Sequence, residues 1–470
     1  MDTLSLDYAN CLSTRIGPVG IDPDEIDDAA PRMVEITDQL AESRGTGWER
    51  WRTLPFDPLK GEHLEAVRQL ADPLRPTTKN LVVLGIGGSA LGNIALQAAL
   101  NPGVWNLMHE DVRNGPRLFV LDNVDPSTVA QTMNIVRQTD PRFEQTIINV
   151  ISKSGETAET AAQFLILRDM LQAALGDAHA EHIIAITDPE RGTMRSICDR
   201  EGYRTLPVPE GVGGRFSVLS PVGLFSAAMC GIDIESLLDG AAAMDERCAQ
   251  RDLRKNPAAM LAWLLMRFTG RGQRNHVLMP YANGLYSLAD WYRQLWAESL
   301  GKRVDLDGNE VFAGATPIKA LGATDQHSQV QLYREGPNDK VIGLIEVGSF
   351  GEDMRIPTGM GVEQLQYLEG ASLATLLSAE KRATEFALIE SQRPNFTLRM
   401  PVINARHVGE FIQLWQVATA YAGRLLNIDA YDQPAVETGK VATFGLMGRP
   451  GYDEWRTKVD SALGEHEHMV

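Results

Sequence analysis

The sequence has few cysteines, few aromatic residues and no apolar run that approaches the roughly 18–20 residues of a transmembrane helix. Its N-terminus has neither the basic start nor the apolar core of a signal peptide. The spacing of the cysteines favours neither a disulfide scaffold nor a zinc site, because no two of them form a C-x-x-C pair: they are Cys11, Cys198, Cys230 and Cys248. We therefore expect a protein of the reducing cytoplasm that does not cross a membrane.

Positive charge is also scarce. The 470 residues include 44 Lys and Arg against 62 Asp and Glu, a net charge of −18. A dedicated nucleic-acid binder would need the opposite balance, because its affinity comes largely from cations on phosphates. Pairs among the nine histidines, such as His179 with His182, have no third metal ligand nearby in the sequence, so no metal site is predicted.

Apolar runs alternate with helical patterns after residue 78. Residues 81–86, 118–121, 146–151 and 182–187 have the length and β-branched composition of buried strands. Helical stretches such as 157–175 lie between them, which predicts parallel pairing in a doubly wound α/β sheet.

The same alternation begins again in the second half of the chain. Predicted strands are 276–279, 341–347 and 398–403, and predicted helices are 288–300, 363–390 and 408–426. We therefore predict a helical N-terminal arm (1–75), a first α/β domain (76–234), a second with a helical connection (235–447) and a C-terminal tail (448–470).

A glycine-rich loop follows the first of these strands and opens a helix. Gly85 to Gly92 reads G-I-G-G-S-A-L-G, with Gly88 and Ser89 at its centre. Glycines let the backbone approach an anion, and a helix N-terminus offers free N–H groups. An ordinary tight turn is the plain alternative. A dinucleotide fingerprint fits poorly, because the acidic candidate Asp122 lies much farther than about 20 residues along the chain.

A second polar loop follows the third strand. It contains Ser152, Lys153, Ser154 and Thr157, at the edge of the sheet where ligands usually bind. Small hydroxyl groups with backbone N–H groups would make a phosphate cradle. The alternative is ordinary helix capping, with Glu159 completing a capping box.

Four more segments hold candidate chemistry. A glycine pair precedes Arg215, which a rigid loop could direct into a cleft. Gln294 and Glu298 are four residues apart and share one helix face. His327 begins a predicted helix, and Lys440 follows a glycine in an apolar segment. Taken singly, each is more commonly a surface, capping or core residue.

Together and in this order, the segments resemble the glucose-6-phosphate isomerase (phosphoglucose isomerase) family. Gly85–Gly92 and Ser152–Thr160 look like its two sugar-phosphate loops, and residues 214–217 like its arginine loop. Residues 294–302 resemble its Q-x-x-x-E-S-x-G-K signature. His327 and Lys440 fall where the family carries a catalytic histidine and a late lysine. The S-K-S-G form of the second loop is similar to shorter bacterial members.

The resemblance implies two sugar-isomerase domains, each a three-layer α/β/α sandwich around a parallel sheet. It also implies a homodimer with the active site at the subunit contact, where the histidine comes from the neighbouring chain. The expected reaction interconverts glucose 6-phosphate and fructose 6-phosphate without a cofactor or metal. The open alternatives are a dual phosphoglucose and phosphomannose isomerase, a non-catalytic sugar-phosphate sensor and, with less support, a nicotinamide dehydrogenase.

The demands of this reaction suggest roles for the matched residues. We expect Glu298 to move the proton between C2 and C1, and Arg215 to stabilise the enediolate. His327, assisted by Lys440, is expected to open the sugar ring. The remaining predicted substrate-binding residues surround the phosphate and the sugar: Gly88, Ser89, Ser152, Lys153, Ser154, Thr157 and Gln294.

Overall fold

Short runs of Val, Ile and Leu form the central strands, because branched side chains pack well on both faces of a buried sheet. The computed structural model describes residues 2–464. Its strands are β1 (Ser5–Asp7), β2 (Asn80–Leu84), β3 (Arg117–Leu121), β4 (Thr146–Ile151), β5 (Ile183–Thr187), β6 (Arg204–Pro207), β7 (Asn275–Pro280), β8 (Lys302–Val304), β9 (Glu310–Ala313), β10 (Thr316–Lys319), β11 (Lys340–Ser349) and β12 (Asn395–Val402).

Several helices begin at a capping Asp, Asn or Ser, as in the helix after Asp125, whose side chain accepts from the Thr128 N–H. The α-helices are α1 (Ser13–Ile16), α2 (Pro23–Ser43), α3 (Leu59–Leu74), α4 (Leu91–Leu100), α5 (Pro126–Thr139), α6 (Ala158–Leu175), α7 (Thr193–Glu201), α8 (Pro221–Met229), α9 (Ile234–Cys248), α10 (Pro257–Gly270), α11 (Tyr286–Leu300), α12 (Val330–Glu335), α13 (Leu373–Glu390), α14 (Ala405–Leu425), α15 (Glu437–Leu446) and α16 (Asp453–Leu463). No helix among residues 2–464 combines the length and apolar content that crossing a bilayer requires.

The first sheet is parallel throughout, with the order β3-β2-β4-β5-β6. Leu84 at the end of β2 lies opposite Leu121 of β3 and Val150 of β4. The strand order changes direction between β2 and β4, and ligands of doubly wound sheets bind outside the carboxyl ends at such a point. The two predicted phosphate loops leave from the ends of these two strands.

The second sheet has the order β1-β12-β11-β7-β10. Its pairing is parallel except at β1, an edge strand that runs antiparallel to β12. The N-terminal segment, predicted to be mostly helical, therefore also contributes a strand. A small antiparallel pair, β8 and β9, stands apart from both sheets.

Helix α14 is buried at every residue from His407 to Gly423 and packs against α9, α10 and α11. Trp415 of α14 lies between Tyr292 and Trp296 of α11, with ring centroids 4.2 and 5.6 Å away. Buried aromatic pairs of this kind add to the free energy gained from their apolar area. They seat α11, which carries two predicted site residues, firmly on the core.

The structure differs from the sequence predictions in one helix and several short strands. The predicted helix over 363–390 is wrong in its first part. A short 3-10 helix, Glu363–Leu368, is followed by Gly370 at φ +76°, and the α-helix starts only at Leu373. Glycine adopts a positive φ at little cost, which ends a helix there. The short strands β1, β6, β8, β9 and β10 were not predicted.

Candidate active site

The first glycine loop touches the arginine loop directly. Residues Gly87–Ser89 form a 3-10 turn between β2 and α4. A Cβ on Gly88 would lie 2.2 Å from the carbonyl carbon of Gly214, so only glycine permits this approach. The contact joins the carboxyl end of the first sheet to the loop that carries Arg215.

Arg215 is the buried centre of the site, with its side chain only 3% exposed. Its Nε donates to Ser299 Oγ at 2.7 Å, and Nη1 donates to Gln433 Oε1 at 2.9 Å. Nη2 donates to the carbonyl oxygens of Ala430 at 2.7 Å and Asp432 at 3.1 Å. These bonds fix the planar guanidinium in one orientation, which a lysine could not reproduce.

Glu298 faces this guanidinium. Its Oε2 lies 3.5 Å from Arg215 Nη1 and accepts a bond of 3.3 Å from Gln294 Nε2. The Glu298 side chain is 28% exposed, so the carboxylate can reach a bound molecule. Burial lowers the pKa of Arg215 from its ordinary value, and the Glu298 carboxylate opposes that shift.

Gln294 has an unused acceptor. Its Oε1 is buried and has no hydrogen-bond partner among the described residues. The amide also lies beside the first loop, since a Cβ on Gly87 would come within 2.9 Å of Nε2. A buried amide oxygen without a partner is costly, and a substrate hydroxyl could satisfy it.

The second loop is organised by its own hydroxyl groups. Ser152 Oγ accepts from the Gly155 N–H at 3.0 Å, and Ser154 Oγ accepts from the Glu156 N–H at 3.1 Å. Thr157 is the N-cap of α6, yet its side chain makes no capping bond. The capping-box interpretation of this segment is therefore wrong, and the Thr157 hydroxyl is free of that role at a helix N-terminus.

Lys153 of the second loop lines a cavity of about 380 Å³. The cavity extends to the arginine loop and to the segment that follows α14. The other lining residues are Trp48, Val212, Gly213, Gly214, Tyr431, Asp432, Gln433, Pro434 and Glu437. Elements far apart in sequence thus enclose one space with a lysine at its wall.

His327 and Lys440, unlike Arg215, are exposed side chains. His327 follows the 3-10 turn Thr324–Gln326 and is exposed. Lys440 is exposed on α15 and pairs with Glu437 at 2.6 Å. Neither side chain forms a hydrogen bond or ion pair with Arg215 or Glu298 in the single chain.

Three residues that support the site had no predicted role: Ser299, Lys302 and Gln433. Lys302 is buried, and its Nζ donates to the carbonyl oxygens of Glu298, Ser299 and Asp432 at 2.8, 3.0 and 3.0 Å. It ties the end of α11 to the segment that holds Arg215. Ser299 and Lys302 lie inside the signature over residues 294–302, and that position could have marked them as site residues. Gln433 lies outside the signature, next to Pro434.

Glycine- and hydroxyl-rich loops at a sheet switch point, with a glutamate and a fixed arginine beside them, are groups that a sugar-phosphate aldose–ketose isomerase requires. Residues 74–353 match the family described as phosphoglucose isomerase. The chain belongs to the phosphoglucose isomerase family.

Curated relatives match almost the whole chain. The glucose-6-phosphate isomerase of Carboxydothermus hydrogenoformans is 42% identical over 97% of this chain and 97% of its own. That of Rubrobacter xylanophilus is also 42% identical, over 96% of this chain and 100% of its own.

Solved structures share the architecture. A hypothetical protein from Thermus thermophilus superimposes with a TM-score of 0.84 at 37% identity, covering 95% of this chain and 100% of that one. A glucose-6-phosphate isomerase from Chlamydia trachomatis, at 23% identity and a TM-score of 0.80, covers 99% and 92% and shares the fold.

Proposed function

We propose that the protein interconverts glucose 6-phosphate and fructose 6-phosphate through an enediol. The observation that carries this is the Glu298 carboxylate, partly exposed and held 3.5 Å from a buried arginine. One carboxylate can remove a proton from one carbon and return it to the next. The substrate reduces one carbon as it oxidises its neighbour, so the reaction needs no external oxidant.

The phosphate binds at the two loops of the first sheet. Ser89, Ser152, Ser154 and Thr157 supply hydroxyl groups, and the N-terminus of α6 supplies a positive dipole end. Gly88 keeps the first loop close to the backbone of Gly214. Lys153 adds a full positive charge at the cavity wall. These local charges offset the field of a chain whose net charge is −18.

Glu298 is the base of the proton transfer, and Arg215 stabilises the negative charge that develops on the enediolate oxygen. A fixed donor aimed at developing charge is among the strongest catalytic devices, because it needs no reorganisation during the reaction. The five polar contacts of Arg215 supply that fixation. Gln294, with its free Oε1, orients a sugar hydroxyl.

Ring opening falls to His327, assisted by Lys440. We assign His327 to the site of a second copy in a homodimer, and its exposure in the single chain leaves it accessible for such a contact. Exposed apolar side chains support such a contact: Met354, Met360, Leu365 and Tyr367 are 50–79% exposed on one segment. A cytoplasmic location is supported by four free, buried cysteines.

The test is to follow purified protein with fructose 6-phosphate by NMR. We expect glucose 6-phosphate as the product. Mannose 6-phosphate appearing at a comparable rate would support the dual isomerase instead. Binding without conversion of the sugar would support the sensor.

A further inference from the structure

A short N-terminal segment packs against the arginine loop. The 3-10 helix Gly47–Thr53 contains two tryptophans, Trp48 and Trp51. Trp51 is fully buried and stacks on Phe216, with ring centroids 5.0 Å apart and planes at 27°. Phe216 directly follows Arg215, so this stack supports the loop that holds the guanidinium.

Two further contacts fix the same segment. Gly211 has φ +71°, and a Cβ there would lie 2.2 Å from the carbonyl oxygen of Gly47. Next to it, Arg50 forms an ion pair of 2.7 Å with Glu210. The segment is thus held on the strand-to-loop connection that leads to Arg215.

Trp48 differs from its buried neighbour Trp51. Its side chain is 51% exposed and lines the cavity that also contains Lys153, Gly214 and Gln433. An exposed indole is expensive in water, and one at a cavity wall is available to a ligand. The contacts of Gly47 and Trp51 on either side of Trp48 fix the backbone from which its side chain leaves.

The ring of Trp48 lies against the ammonium group of Lys153, whose Nζ is 5.3 Å from the ring centroid. Within residues 2–464, Lys153 Nζ makes no ion pair within 4 Å and no hydrogen bond, so the indole is its nearest identified contact, and the Asp188 carboxylate interacts with its charge at longer range. A carboxylate in that position would neutralise the charge that a phosphate needs. An aromatic face holds the cation through its quadrupole and leaves the full charge in place.

We infer that Trp48 is a positioning residue for the phosphate of the substrate: its indole face holds Lys153 in the cavity and forms one wall of it. The inference rests on the proposed function, because it assigns the Lys153 side of the cavity to the sugar phosphate. It extends the site to residues 47–53, which the family resemblance does not include.

The test compares Trp48→Leu with Trp48→Phe. Leucine retains apolar bulk without a ring, whereas phenylalanine retains an aromatic face. We expect Trp48→Leu to raise KM for fructose 6-phosphate and Ki for inorganic phosphate by about 2- to 30-fold, with a much smaller change in kcat. Trp48→Phe should restore most of the binding.

Trp455→Leu is the matched control, because the Trp455 ring also contacts a lysine ammonium group: Lys458 Nζ lies 4.5 Å from its ring centroid. It should leave both constants unchanged. Equal losses in Trp48→Leu and Trp48→Phe would overturn the inference, because they would show that only the bulk of the indole matters.

A double-mutant cycle with Lys153→Met separates positioning from general packing. If Trp48 acts through Lys153, Trp48→Leu adds little to the KM or Ki of the Lys153→Met protein. An undiminished effect in that background would contradict the inference. Calorimetry with inorganic phosphate gives the same comparison without turnover. Wild-type protein that binds phosphate but does not convert fructose 6-phosphate would refute the proposed function and leave the Trp48 comparison readable.

Discussion

Arg215 with Glu298 and Lys440 with Glu437 are pairs of the same charge type in opposite surroundings. The first pair is 3% and 28% exposed and the second is 54% and 60% exposed. Arg215 also has four hydrogen bonds to fixed acceptors, whereas Lys440 has only its glutamate among residues 2–464. An exposed pair of this kind contributes little and rearranges easily.

The difference shows which side chains of the proposed site are already in contact within one chain. The proposed proton-transfer part, formed by Arg215, Gln294 and Glu298, has its side chains in contact in the single chain. The proposed ring-opening part, His327 and Lys440, is exposed and makes no hydrogen bond or ion pair with it. We propose that the second copy of a homodimer brings this part to the proton-transfer residues.

The largest effect should come from removing the carboxylate of the proton-transfer part. Glu298→Gln keeps the shape but cannot accept the proton, so kcat should fall by roughly 10²- to 10⁴-fold. Ki for inorganic phosphate should hardly change, because the phosphate loops are intact. Steady-state kinetics measure both.

Asp290→Asn is the control on the same helix, since Asp290 pairs with Lys319 and Arg293 away from Arg215. It should keep kcat within a small factor. Near-normal turnover by Glu298→Gln would remove Glu298 from the role of base.

Arg215→Lys tests whether catalysis depends on the geometry of the guanidinium or on its positive charge alone. Lysine retains the charge but cannot make the five contacts, so kcat should fall by about 10²-fold. The free energy of unfolding should fall by about 1–3 kcal/mol, because Ser299 and the Ala430 carbonyl lose their donor. Urea unfolding measures this change.

The exposed Arg399–Asp7 pair supplies the comparison, with Arg399 50% exposed. Arg399→Lys should change stability by less than about 1 kcal/mol and leave kcat intact. Equal effects at the two arginines would mean that burial at Arg215 has no functional meaning.

His327→Ala addresses the exposed part. Loss of a general acid–base should slow the reaction of the closed sugar by about 10²-fold, with a smaller effect on the open chain. Mixing this variant with Glu298→Gln sharpens the test. If His327 comes from the partner, each mixed dimer has one intact site, and a random mixture regains about a quarter of wild-type activity.

Labelled chains can verify that the subunits of the two variants exchange. If they exchange and the activity of the mixture stays at the level of the separate variants, the shared site is contradicted. A single-chain site would give that result, because each chain would then carry one broken residue. Equal losses on closed and open sugars would count against ring opening as the role of His327.

The smallest effect concerns the support beneath α11. His276 on β7 is buried, accepts at Nδ1 from Trp296 Nε1 at 3.1 Å, and its Nε2 lies 3.0 Å from Thr269 Oγ1. Burial lowers the pKa of His276 to about 3. Between that value and the unfolded value near 6.5, the unfolded chain binds more protons, so stability falls as the pH falls through this window.

His276→Gln should reduce the slope of unfolding free energy against pH between pH 4 and 6 by up to about 1.4 kcal/mol per pH unit. His109→Gln, at an exposed histidine, is the control for the substitution itself. An unchanged slope in His276→Gln would show that this histidine does not contribute to acid sensitivity.

The sequence was most informative where long apolar runs and motifs carried the signal. The central strands β2, β4 and β11 follow from buried Val, Ile and Leu. The strands β1 and β10 are only three and four residues long and lie at sheet edges. Such strands depend on a partner from a distant part of the chain, which local pattern does not show.

The site shows the same division. Gln294 and Glu298 were predicted together because they share a helix face, and the structure joins them. The contact of Arg215 with Gln433 links residues 218 positions apart, so no local pattern predicts it. Trp48 lies in a segment without family motifs, and long-range contacts of its neighbours, such as Trp51 on Phe216, place it at the cavity.

The most direct measurement of the central claim uses fructose 6-phosphate in deuterated water with EDTA and compares wild type, Glu298→Gln and His327→Ala by NMR. For the wild type we expect glucose 6-phosphate with deuterium at C2. His327→Ala should still exchange the proton of the open-chain sugar, and Glu298→Gln should not. Exchange that survives in Glu298→Gln would contradict a proton-transfer site built on Glu298 and Arg215.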